Sequence, residues 1–208
     1  MDKETGLKLG AWLLGGVVIG VAFTAWAQVR LSGSALTFYD FFPLLGLIAF
    51  SLMWTHFITG AIRKLSGAAP NTLHDYFIIT SAIVLGLILL HPGILIIKLW
   101  FDGFGLPPLS YLTAYGSDDG IRIMALLLGT VSLLVFLLFE LRRKFGKASW
   151  WKYVLYLNMA AMAAIYIHAL LLGGELALPW FKIIWYFYGV TLVVAAAYRF
   201  GKKRRVHE

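Results

Sequence analysis

Cysteine is absent, which excludes disulfides, thiolate zinc sites and iron–sulfur clusters and says nothing about redox compartment. Charge is scarce as well: 13% of the 208 residues are Asp, Glu, Lys or Arg, about half the share of a soluble domain. No Gly-rich nucleotide fingerprint occurs, and the longest gap between apolar segments runs only from Trp100 to Gly120. No soluble domain fits there, so the chain cannot take hydride from a nicotinamide by itself. Internal repeats and low-complexity tracts are also missing.

What is present is apolar. Hydrophobic residues make up 61% of the chain, with a mean hydropathy of +0.82. Six segments can be drawn, at about 8–29, 41–62, 75–99, 121–141, 152–173 and 179–198. Each is long enough to cover a hydrocarbon core of roughly 30 Å at 1.5 Å per residue. The expected fold is an all-α integral membrane protein, a six-transmembrane-helix bundle forming one domain over residues 1–208. Lys3, Lys8 and Ala25-Trp26-Ala27 imitate a signal peptide. The apolar run between them exceeds the usual core of about 7–15 residues, so the segment reads as a retained helix.

The net charge of +8 could suggest nucleic acid, but the basic residues sit at segment ends rather than on one face. They report topology instead, and the expected partner is the lipid bilayer, with no nucleic acid. Lys3, Lys8, Arg63, Lys64, Arg142, Arg143, Lys144, Lys147, Lys152, Arg199, Lys202, Lys203, Arg204 and Arg205 fall on one side. Only Arg30, Lys98, Arg122 and Lys182 fall on the other, a split of 14 to 4. The N- and C-termini are therefore expected in the cytoplasm, in a bacterial inner or plasma membrane. The outer loop Trp100–Gly120 holds Pro107-Pro108 and Asp118-Asp119 and reads as structured but non-helical. Ser117 or Asp118 is the expected cap of the fourth helix. The loop is a connector or a docking surface for an outer partner.

Two histidines stand out. An imidazole deep in hydrocarbon costs free energy and points by default to function. His91 and His168 each lie 16 residues past the starts of their segments at 75 and 152. Both are therefore about 24 Å from the cytoplasmic side, on co-directional helices. Level imidazoles on different helices are what axial ligation of a heme iron requires. Leu157, Ala161, Ala164 and His168 share one helix face. Its alanines leave room for a porphyrin plane or serve close helix packing. Pro92 follows His91 and cannot hydrogen-bond to the Ile88 carbonyl. Lys98, Arg30, Arg122 and Lys182 are candidate partners for heme propionates, or interfacial anchors.

His56 lies about 10 Å inside the inner boundary and His74 begins the third segment. They could contact a flavin or quinone, or ligate a second heme in a non-standard way; an exposed interfacial role is the other reading of His74. His207 in the basic tail is read as inert. Thr55, Thr80, Ser81 and Asn158 suit hydrogen bonds between helices or back to the backbone. Trp150, Trp151, Trp180 and Trp185 suit the interfacial belt, and Met159 and Met162 suit packing.

LILLH at 87–91, a basic loop leading into WWKYVLYL at 150–157, and YIH at 166–168 resemble the ferric reductase-like transmembrane domain over about residues 41–198. That family includes NADPH oxidases, single-heme metalloreductases of the six-transmembrane epithelial antigen type, and the bacterial heme subunit that supplies methionine sulfoxide reductase. The resemblance implies a heme b protein passing electrons across the membrane, with His91 and His168 as ligands of an outer heme. Two-heme members carry a second, inner histidine pair, at positions occupied here by Phe77 and Leu155, so one heme is expected. Bis-histidine iron favours electron transfer over oxygen activation. The donor would be a membrane quinone, an inner-site flavin, or a cytoplasmic flavoprotein docking on the basic loop 142–152. The acceptor would be ferric iron, oxygen or an outer partner protein. Such a chain acts as a membrane oxidoreductase only with a source of reductant. The alternative is a cofactor-free transporter, channel or assembly factor using His56, His91 and His168 as proton or substrate sites.

Overall fold

The computed structural model describes residues 2–31, 35–115, 119–145 and 151–204, excepting the side chains of 140–152, 155 and 199–204. Its helices are α1 (Lys3–Arg30), α2 (Phe41–Leu65), α3 (His74–Phe101), α4 (Leu109–Tyr115), α5 (Gly120–Phe145), α6 (Trp151–Leu172) and α7 (Pro179–Arg204). Single 3-10 turns lie at Phe38–Asp40 and Gly174–Ala177. Among the described residues every regular element is helical. Five stretches are long and apolar enough to cross a membrane: Lys3–Arg30, Phe38–Leu65, His74–Phe101, Gly120–Phe139 and Pro179–Tyr198. The apolar part of α6, Tyr156–Leu172, is shorter.

The helix ends follow local chemistry. Asp2 caps α1, its Oδ1 accepting the Thr5 N–H at 2.6 Å, and this bond holds its carboxyl below the usual carboxylate range. Both α2 and α3 close on a glycine in the left-handed region, Gly67 at φ +67° and Gly103 at φ +84°. After α2, Ala68 N–H returns to the Arg63 carbonyl and Gly67 N–H to that of Lys64, at 3.2 and 3.3 Å. After α3, Phe104 reaches Leu99 and Gly103 reaches Trp100, at 2.9 and 3.1 Å. This paired closure satisfies carbonyls that the helix leaves orphaned, and only glycine enters the conformation without strain.

Two expectations change in the outer loop. Leu109–Tyr115 is helical rather than irregular, starting directly after Pro108, where the missing proline N–H costs nothing. Asp119 caps α5, its Oδ1 accepting the Arg122 N–H at 3.1 Å; Ser117 and Asp118 lie outside the described residues.

The chain forms two compact units, Met1–Ile88 with Ala177–Glu208, and Leu89–Leu176. In the first, α1 and α2 run antiparallel. Trp26 Nε1 donates to the Asp40 carbonyl at 2.7 Å at one end, and Lys3 Nζ donates to the Ser66 carbonyl at the other. Helices α2 and α7 run parallel: Phe50 meets Trp185 at 4.5 Å between ring centres, and one turn on Trp54 meets Tyr188 at 4.4 Å and Thr191 Oγ1 at 2.8 Å. Trp185 is thus fully buried between helices rather than in an interfacial belt, whereas Trp180 binds the exposed Gln28 side chain at 3.0 Å. In the second unit α5 and α6 form an antiparallel pair, with Ser132 Oγ donating to the Ala161 carbonyl at 3.3 Å. Outward faces of both units are apolar, from Leu13 and Val17 to Val131 and Leu134, as lipid contact requires.

Candidate functional site

His91 and His168 both belong to the second unit, and each is the eighteenth residue of its helix. The equal distance from the helix start read from the sequence therefore persists, both helices starting one residue earlier than expected. The structure brings the rings together, with centres 6.4 Å apart and planes crossed at 85°. Helix α3 passes through Pro92 without ending.

The second ring nitrogen of His168 has a fixed job. Its Nδ1 lies 2.7 Å from the Ala125 carbonyl oxygen, which can only accept, so Nδ1 carries the proton. In the neutral ring Nε2 then keeps its lone pair, the state a metal-ligating histidine needs. Gly129 makes this approach feasible. One turn beyond Ala125, it offers no side chain where a Cβ would lie 3.0 Å from both Cε1 and Nδ1 of the ring. Neither Ala125 nor Gly129 was singled out from the sequence. The available signal was a row of small residues, Ala125, Gly129 and Ser132, spaced to share one helix face.

Of the small residues on α6, Ala161 serves close helix packing. Ala161 is buried against α5, where its carbonyl meets Ser132, and closely packed backbones explain the small side chain. Lys98 and Arg122 have carboxylate partners in their own unit: Lys98 Nζ to Asp102 at 2.6 Å, and Arg122 Nε to Asp119 at 3.1 Å. Arg122 also lies over the Tyr115 ring at 5.3 Å. In the first unit Arg30 is 3.7 Å from Asp40, and Lys182 is exposed.

A separate polar cluster joins α2 to α3 within the first unit. His56 Nε2 is 2.5 Å from Thr80 Oγ1, and its ring meets Tyr76 and Phe77 edge-on at 5.9 and 5.3 Å. Proton counting orders the contacts. The Thr80 hydroxyl donates to the Tyr76 carbonyl, so it accepts from His56 Nε2 and leaves the lone pair on Nδ1. Thr55 donates to the Leu52 carbonyl and accepts from the Tyr76 hydroxyl at 2.5 Å. Thr55 and Thr80 therefore hydrogen-bond both between helices and to the backbone, as their setting predicts. His74 is exposed at the first residue of α3 and is not part of this cluster, which fits its interfacial reading. Thr55→Val is expected to cost about 0.6 kcal/mol and at most about 1.7, the range for hydrogen bonds between membrane helices. Thermal unfolding in detergent, with Tyr76→Phe and the double variant, would read it; additive losses would deny the contact.

A bis-imidazole iron site needs no third protein ligand, and no group of three or more His, Cys, Asp or Glu able to hold a metal occurs among the described residues. Comparison with protein-family models, with characterised proteins and with solved structures finds no match.

Proposed function

We propose that this chain is a heme b-binding electron carrier of the membrane, with His91 and His168 as the axial ligands of one heme. The observation that carries the proposal is the pairing of the two rings, 6.4 Å apart, with the remaining nitrogen of His168 committed to Ala125. A metal–imidazole bond of about 2.0–2.1 Å on each side, plus roughly 1 Å from nitrogen to ring centre, separates trans ring centres by about 6 Å. The donor set fits: two imidazoles in an apolar, cysteine-free setting. When bound, heme supplies one-electron chemistry; the chain supplies ligand geometry, burial and exclusion of water.

A single heme is favoured because Phe77, where an inner ligand would stand, packs its ring against His56 instead. The His56 cluster is the candidate place for an inner quinone or flavin donor. The side chains of the basic loop 142–152, where a flavoprotein would dock, lie outside the described residues. Lys98 and Arg122, in the same unit as the two histidines, remain the candidate propionate partners, by exchanging Asp102 and Asp119 for the new carboxylates. Ferric iron, oxygen or a partner protein would accept the electron outside.

Six spans with cytoplasmic termini complete the proposal. Helices α3, α5 and α6 separate α2 from α7 in sequence, and the seven-residue α4 is too short to cross. If all three cross, α7 must run in the same direction as α2, as the Phe50–Trp185 and Trp54–Tyr188 contacts have it. If α6 stayed on one side, the two would be antiparallel. With no native cysteine in the chain, single replacements can be labelled without background. Leu106→Cys and Gly174→Cys should react with an impermeant maleimide on intact cells, and Asn71→Cys only after permeabilisation. Protection of Gly174→Cys would remove the sixth span.

The decisive experiment is a spectrum. Detergent-purified protein from heme-replete cells should be red, with the reduced-minus-oxidised bands of a b-type heme. A colourless preparation would favour the cofactor-free reading, in which His56, His91 and His168 relay protons or hold a substrate.

A further inference from the structure

We propose that Gly129, with the Ala125 carbonyl one turn before it, is the positioning element that sets the tautomer and the plane of the His168 imidazole. The inference rests on the heme reading and goes beyond it, because it assigns a role to α5, which supplies no iron ligand. Three observations converge. The Ala125 oxygen is 2.7 Å from Nδ1, and Ala125 itself is fully buried, so no water competes for that oxygen. A Cβ at position 129 would stand 3.0 Å from Cε1 and Nδ1, tighter than nine in ten such contacts, so the ring would have to shift by a few tenths of an ångström. The ring held in this notch is the one crossed at 85° with that of His91.

The consequence is specific. A ring turned out of the notch loses its partner at Nδ1 and is free to exchange tautomers, and its plane no longer stands across that of His91. Crossed imidazole planes give ferric low-spin heme a strongly anisotropic resonance displaced to low field, whereas near-parallel planes give the ordinary rhombic signal. The orientation of one side chain is therefore readable independently of electron-transfer activity.

The test uses full-length protein labelled with 15N-histidine, examined by NMR without heme and by electron paramagnetic resonance with heme. The wild type is expected to show one Nδ1–H imidazole, absent from His168→Ala, and the crossed-plane resonance. Gly129→Ala should lose the Nδ1–H signal, abandon the crossed-plane resonance and bind heme about 10–100-fold more weakly, the usual effect of removing a ligand's supporting group. Gly86→Ala, at a glycine with open space around it, should change none of these. Wild-type line shape and affinity in Gly129→Ala would overturn the proposal. If that variant fails to fold, the wild-type NMR spectrum decides: an Nε2–H tautomer at His168 overturns it and an Nδ1–H tautomer supports it. An Nδ1–H tautomer sensitive to Gly129→Ala, in a protein that takes up no heme, would uphold the notch and sink the heme reading alone.

Discussion

His91→Ala and His168→Ala are each expected to abolish the heme spectrum, lowering affinity by more than about 100-fold, since even supporting groups behind a ligand are worth 10–100-fold. His207→Ala and His74→Ala should leave it intact. Neither of the damaging changes should unfold the chain. Alanine is a strong helix former, and removing an imidazole removes a group that is costly to keep in hydrocarbon. A variant that retains its helicity and monodispersity but loses its colour has lost chemistry rather than structure. Retention of full heme content by either variant would end the assignment. Exogenous imidazole offers a refinement: it should restore part of the absorption in His168→Ala, where truncation opens a space beside Gly129.

The largest stability loss is expected at Trp185. Its side chain is fully buried, 4.5 Å from the Phe50 ring centre and 5.9 Å from those of Phe181 and Tyr188. Burying it from lipid rather than water yields little hydrophobic gain, so its contribution is packing. Dispersion contacts and cavity cost remain, and removal of a large buried aromatic costs about 3–5 kcal/mol in soluble cores. Trp185→Ala should approach that range in detergent unfolding, while Trp180→Ala, which removes an exposed hydrogen bond to Gln28 and an edge contact with the Phe181 ring at 5.5 Å, should lose about 1–3 kcal/mol. Equal losses at the two positions would mean that Trp185 is not the α2–α7 anchor.

Much of this was legible in the residues, for identifiable reasons. Long apolar runs leave the backbone no solution but helices. Equal depth of His91 and His168 followed from the constant helical rise. What hydropathy cannot supply is rotation about a helix axis. A segment apolar all round gives no sign of which face meets a neighbour, so Trp185 read as a belt residue and the two readings of Ala161 stayed open. The partners of His168 were hidden for a related reason: a backbone carbonyl at Ala125 and a missing side chain at Gly129 leave no titratable or metal-binding signature. Short helix α4 escaped because seven residues beside two prolines carry too little periodicity to be seen.

The bond from His168 to Ala125 also bears on charge balance. If a heme iron takes Nε2, as proposed, both ring nitrogens of His168 are engaged, Nδ1–H by the Ala125 carbonyl, and the ring has no lone pair left for a second proton. An electron arriving beside it would bring no hydrogen ion along, so its energy should stay constant across the physiological acidity range. Net negative charge would then accumulate on the outer side with each transfer. The step would be electrogenic to the extent that its donor lies deeper in the bilayer, and an electrical potential positive outside would assist it.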